Sequence, residues 1–159
     1  MVVYCMENLY YILIIICFFP LLYLSWQDIK SQEISRNVTL ATVFFALAFN
    51  SVALIFYNYQ PAYYALLAAL ILGTVFLLCL ILTKEKSLGM GDVYLFILMG
   101  LLVGLQNLIF SLSIMVLGAL LYSIIKYKKI HLKQKVPLVP FISLGIFLTF
   151  VLTQLFLQS

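Results

Sequence analysis

Long apolar runs separated by short polar stretches set the pattern of this chain. A helix needs about 20 apolar residues to cross roughly 30 Å of hydrocarbon, and the runs are of that size. Span one covers residues 9–26, with Pro20 inside it expected to kink the helix. Span two covers 38–57 and stops at the turn sequence Asn58-Tyr59-Gln60-Pro61; span three covers 62–83. From Asp92 to Ile125 the sequence is apolar throughout, too long for one span and short for two. Its one weak point is Gly104-Leu105-Gln106-Asn107, which reads as a turn and leaves a fourth span of about 12 residues, or about 18 Å. Such a helix cannot cross the hydrocarbon alone. Either it extends backward through Gly89 and Gly91, or Asp92 is recessed at the floor of a cavity, where protein or water surrounds the irregular backbone. Spans five and six cover 108–125 and 136–157. The expected fold is all-α: a polytopic integral membrane protein of about six transmembrane helices, with residues 1–159 as one domain.

Composition strengthens this reading. The chain is 66% hydrophobic and 9% charged, with a mean hydropathy of +1.20, whereas a soluble domain is about half apolar and about a quarter charged. The three cysteines, Cys5, Cys17 and Cys79, form no C-x-x-C pair and signal no zinc or redox site. Cys17 and Cys79 lie in apolar runs, where cysteine acts as a small hydrophobe; Cys5 is either lipidated or inert. Residues 1–8 carry no Lys or Arg, so the first run lacks the positive region of a secretory signal and is expected to be retained as a span.

Charge placement adds orientation. All nine Lys and Arg fall in three segments: Lys30 and Arg36 after span one, Lys84 and Lys86 after span three, and Lys126, Lys128, Lys129, Lys133 and Lys135 after span five. Cytoplasmic loops carry the excess of basic residues. Both termini are therefore expected outside, and the ends of the odd-numbered spans inside. Trp26 suits an aromatic belt at that inner boundary. The basic run between Lys126 and Lys135 is expected to rest on anionic membrane lipid; so short a loop is not expected to bind nucleic acid, and His131 within it is expected to be solvated.

The chain has five acidic residues, and two of them stand at span mouths on this same side. Asp28 closes the first run and Asp92 opens the fourth, in Gly89-Met90-Gly91-Asp92. Carboxylates at a membrane edge are costly and mark function by default. Two together suit hydrolysis, one ionised to take a proton from water and one protonated to donate to a carbonyl oxygen. Like charges a few ångströms apart favour sharing one proton, so apparent pKa values belong to the pair. Gly89 and Gly91 would let the chain turn and a substrate backbone approach closely.

Three blocks then resemble the type IV prepilin leader peptidases, G-x-G-D membrane aspartyl proteases: residues 28–39 from Asp28 through Ile34 and Asn37 to Thr39; Gly89-Met90-Gly91-Asp92-Val93-Tyr94-Leu95 with Gly100 and Gly104; and Val136-Pro137-Leu138-Val139-Pro140-Phe141 before the last span. The resemblance covers about residues 25–145. It implies Asp28 and Asp92 as the catalytic pair, no metal and no cofactor, and type IV prepilin or pseudopilin precursors as partners, their short basic leaders cut at the cytoplasmic face of a bacterial cell membrane. It implies that Pro137 and Pro140 shape a wall near the site. Ser35 stands where the family usually has proline, and Tyr94 where it often has lysine. Without the family's two C-x-x-C pairs the chain resembles the short, protease-only members, and no methyltransferase activity is expected.

Blander and rival readings stand beside this one. Asp28 could be an interfacial residue reaching water. Glu33 and Glu85 are solvated loop charges or contacts for a basic leader, and Pro137 and Pro140 could simply set the entry of span six. A small transporter or proton-relay protein could use the same two carboxylates, but it leaves the glycines and the Pro-x-x-Pro-Phe block without a purpose. A metal-dependent phosphotransferase needs more carboxylates than the chain offers near one site. Competence, adhesive-pilus and secretion precursors share one leader type, so the sequence does not choose among them.

Overall fold

The structure, a computed structural model, describes residues 2–31, 34–83, 89–127 and 137–157. Among these residues the regular elements are five helices: α1 (Val2–Ser31), α2 (Arg36–Tyr57), α3 (Gln60–Thr83), α4 (Met90–Tyr127) and α5 (Val139–Leu157). The segments Leu9–Ser31, Arg36–Tyr57, Gln60–Leu82 and Met90–Lys126 are each long and apolar enough to cross a membrane, and Val139–Thr153 is a shorter apolar helix. This is the make-up of a multi-pass membrane protein.

Local sequence explains the boundaries. α1 continues through Pro20 without a break in the helix, although proline withholds the amide that would bond the Ile16 carbonyl. Asn58 ends α2 in the left-handed conformation (φ 49°, ψ 39°); its N–H donates back to the Leu54 carbonyl and the Tyr59 N–H to the Ala53 carbonyl. Asparagine tolerates that conformation better than most residues. Only Asn58 and Tyr59 separate α2 from α3, so the turn expected over four residues is two residues long. Pro61 falls in the first turn of α3, where a missing amide costs little.

α4 is interrupted at Gly104 (φ 71°, ψ 169°), a backbone state open essentially to glycine alone. Helix stands on both sides of it, so the turn expected at 104–107 is a break one residue wide. The part before the break spans roughly 21 Å, too short to cross hydrocarbon. It does not have to: from Val93 to Gly104 no residue is exposed. Val93, Leu95, Phe96, Leu98, Met99, Leu101 and Leu102 are buried; Phe96 stacks on Phe76 of α3, Gly100 lies against Ala69 of α3, and Tyr10 of α1 and Asn50 of α2 reach the Leu101 carbonyl. Protein therefore surrounds this short helix where lipid would not tolerate its irregular end. Beyond the break, Ile109, Leu117, Leu121 and Ile125 are exposed, as suits a lipid-facing surface.

The break frees carbonyls of the preceding turn, and other helices supply donors. Tyr10 Oη of α1 donates to the Leu101 carbonyl at 3.1 Å, and Asn50 Nδ2 of α2 donates to the same oxygen at 3.3 Å. Small residues elsewhere let backbones touch. A Cβ on Gly100 would stand 2.5 Å from the Ala69 nitrogen of α3, and one on Gly145 would stand 2.8 Å from the Ser111 carbonyl oxygen of α4. Close backbone approach of this kind is the usual packing device of membrane helices.

Candidate active site

The buried face of α1 runs through Leu13, Cys17, Leu21, Leu24 and Ser25 and ends on Asp28. These spacings of three and four residues form one helical stripe. The carboxylate is thus the last residue of an inward-facing face, not a side chain turned to lipid. Asp28 is only 5% exposed.

Its partner is backbone. Val139, the first residue of α5, donates its N–H to Asp28 Oδ2 at 2.9 Å. The first amides of a helix have no acceptor within it. Leu138 fills the cap position, its carbonyl accepting from Phe141 and Ile142 at 3.2 and 3.1 Å. Asp28 therefore caps α5 from another helix, with its negative charge at the positive end of the α5 dipole. Pro137 is buried and Pro140 half-buried, on either side of Leu138 and Val139. Pro140 has no N–H of its own to offer, and the Val139 amide is the donor aimed at the acid.

Asp92 sits in the first turn of α4. Its Oδ2 accepts the Gly89 N–H at 2.9 Å, while its own N–H donates to the Gly89 carbonyl at 3.0 Å. This reciprocal pairing is the acidic half of a capping box and holds the carboxylate at the start of its own helix. Neither Gly89 nor Gly91 has a positive φ, since Gly104 is the only described glycine that does. The turning freedom expected of them is therefore unused, and what matters is space. A Cβ on Gly91 would lie 3.5 Å from Ile34, in ordinary contact, and one on Gly89 would lie 3.7 Å from the Asp92 carboxylate.

The two carboxylates lie at the same end of the bundle: Asp28 stands near the end of α1, Asp92 near the start of α4, and a Cβ on Gly91 beside Asp92 would lie 3.5 Å from Ile34, between α1 and α2. Basic residues gather at the same end. Lys30 and Arg36 border the gap between α1 and α2, and the Lys30 ammonium lies 5.2 Å from the centre of the Trp26 ring. At the α4 terminus Lys126 donates to Tyr122 Oη at 2.8 Å. Glu33 and Glu85 lie outside the described residues.

A family model described as the type IV leader peptidase family matches residues 12–124. The chain belongs to that family. The matched stretch holds Asp28, Gly89, Gly91 and Asp92 and stops before Pro137 and Pro140. Membership indicates a peptidase and implies type IV prepilins as its substrate class. Comparison with curated proteins and with solved structures finds no match.

Sequence reasoning missed three residues here, Val139, Ser25 and Ser143. The Val139 amide carries no sequence signal, because any residue except proline supplies an N–H. Ser25 and Ser143, whose hydroxyl oxygens are 3.2 Å apart, look like the small residues common in membrane helices. The one available hint was spacing: Ser25 stands one helical turn before Asp28 on the same face.

Proposed function

We propose that the chain is an aspartic endopeptidase that removes the short basic leader from type IV prepilin or pseudopilin precursors at the cytoplasmic face of a bacterial membrane. The observation that carries this reading is the placement of Asp28 and Asp92 at the same end of the bundle, in a member of a leader peptidase family. The basic segments supply the orientation, with both termini outside and the acids inside. In this reading α4 leaves the inner face before Gly104 and returns to it afterwards, so that α5 runs from the inner face to the outer one.

In the reaction, the ionised carboxylate of the pair takes a proton from a water molecule, whose oxygen attacks the scissile carbonyl. The protonated carboxyl gives its proton to the carbonyl oxygen. Collapse of the tetrahedral intermediate breaks the C–N bond: the departing nitrogen takes up the proton held by the first carboxylate, and a hydroxyl of the gem-diol returns its proton to the second as the carbonyl re-forms. The pair ends with one proton, as it began. The low-dielectric surroundings strengthen the coupling that keeps one proton between them. The arrangement calls on no cofactor. Glu33 and Glu85 attract the basic leader.

Co-expression with a pilin-like precursor tests the reading. The unaltered chain converts the precursor to a faster-migrating product, and Asp28→Asn or Asp92→Asn each leaves it uncut. Processing that survives either substitution removes that residue from the mechanism. Solute uptake without proteolysis would favour a transporter. Charge reversal at both Glu33 and Glu85 slows cleavage; unchanged cleavage refutes their role with the leader.

A further inference from the structure

Two contacts join α1 to α5 at successive turns. Asp28 Oδ2 accepts the Val139 amide at 2.9 Å. One turn deeper, Ser25 Oγ and Ser143 Oγ approach to 3.2 Å. Ser25 precedes Asp28 by three positions and Ser143 follows Val139 by four, spacings that put each pair on one helical face. Both serines are buried, at 7% and 6% exposure.

The hydroxyls also bond within their own helices. Ser25 Oγ donates to the Leu21 carbonyl at 2.7 Å, and Ser143 Oγ lies 2.9 Å from the Pro140 carbonyl. Two hydroxyl hydrogens thus serve three contacts. The shortest contact holds the Ser25 hydrogen on Leu21, so the Ser143 hydrogen divides between Pro140 and Ser25 Oγ. Ser143 is thereby tied both to the first turn of α5 and to α1. That first turn is the one whose amide grips Asp28, and loss of the cross-link would let α5 rotate or slide against α1.

We infer that Ser25 and Ser143 form a latch that sets the register of α5 on α1 and so holds Asp28 against the Val139 amide, making both serines positioning residues for the catalytic carboxylate. The inference rests on the proposed peptidase reading. Alanine would fill either serine position with nearly the same volume, so packing alone predicts little effect. A positioning role predicts a loss in the chemical step with substrate binding retained.

The experiment measures kcat and KM for the purified full chain, with a type IV prepilin bearing its short basic leader as substrate. Ser25→Ala and Ser143→Ala are each expected to lower kcat about 3- to 20-fold, the range for a hydrogen bond between membrane helices, with KM changed less than about twofold. The double variant is expected to be no worse than either single one, because each substitution removes the same contact. Thr149→Val is the control. Thr149 is a buried hydroxyl farther along α5 that donates to the Gly145 carbonyl of its own helix at 2.7 Å, and its loss is expected to leave kcat unchanged. Serine variants with unaltered kcat overturn the latch. So do serine variants whose kcat falls only as far as Thr149→Val lowers it at equal loss of thermal stability, and so does a change confined to KM. Asp28→Asn separates this failure from a deeper one: if that variant still cuts, the peptidase reading falls and the latch with it.

Discussion

Asp28 has one role that its contacts show and one that the proposed function gives it, and they can be separated at the level of one amide. As a cap it stabilises the start of α5; in the proposed mechanism it is one of two carboxylates that transfer protons. Val139→Pro deletes the donated N–H while keeping a residue that suits the first helical position, and the preceding Leu138, as cap residue, suits the extended conformation proline demands. It is expected to lower kcat for leader cleavage about 10- to 100-fold, the scale of a hydrogen bond to a charged group, with α5 still formed by circular dichroism. Undiminished kcat would show that the amide does not position the acid. Tyr10 offers a second test, remote from the carboxylates. Tyr10→Phe removes the donor to the Leu101 carbonyl and is expected to cost about 0.5–1.5 kcal/mol, read as a lower unfolding midpoint in detergent. Asn50 still serves that oxygen, so the loss should be partial. Both aspartates were legible as residues, because a charge at the edge of an apolar run stands out. Their partners were not. Backbone amides, and polar side chains such as Tyr10 and Asn50 inside apolar runs, gain meaning only when another helix places an acceptor opposite them.

Helix α4 shows what an element can hide. Its apolar sequence gave the correct place for an interruption, Gly104, but suggested a loop where a single glycine changes the chain's direction. The short first half looked unable to cross a membrane, and the structure resolves this by burying it against α1, α2 and α3. Periodicity carries no information about such enclosure, since a helix apolar on every face reads the same in lipid and in protein. Three glycine substitutions separate the roles of backbone and space. Gly104→Ala is expected to cost about 1–3 kcal/mol from its backbone conformation alone. Gly100→Ala forces a methyl to 2.5 Å from the Ala69 nitrogen and is expected to cost about 1–3 kcal/mol or more, because α3 backbone cannot give way as a side chain could. Gly91→Ala meets only ordinary contact with Ile34. It should keep the unfolding midpoint and slow leader cleavage, because the added methyl occupies space kept for the substrate backbone. Undiminished cleavage by that variant would contradict the role given to Gly91.

At the scale of the molecule, the basic segments and the acid pair share one end. Lys30 and Arg36 beside α1 and Lys126 at the end of α4 flank the entry to Asp28 and Asp92. The proposed topology places that end in the cytoplasm, and epitope tags at either terminus are expected to be cut by protease added to intact cells. Protection of both tags would reverse the orientation. The all-α class and the apolar spans were legible because membrane crossing needs long uninterrupted apolar stretches; the contact of Asp28 with the start of α5 was not, because it depends on how the helices pack. The central claim is that these two carboxylates together cut the leader. It is tested most directly by the single-turnover rate at which purified protein in lipid vesicles releases the leader from a prepilin, followed by the mass of the products. The unaltered chain should cut one bond at the leader junction. Asp28→Asn and Asp92→Asn, each folded to the same unfolding midpoint, should each be slower by about 10²- to 10⁴-fold or more. Cleavage by either variant at the rate of the unaltered chain would contradict the account.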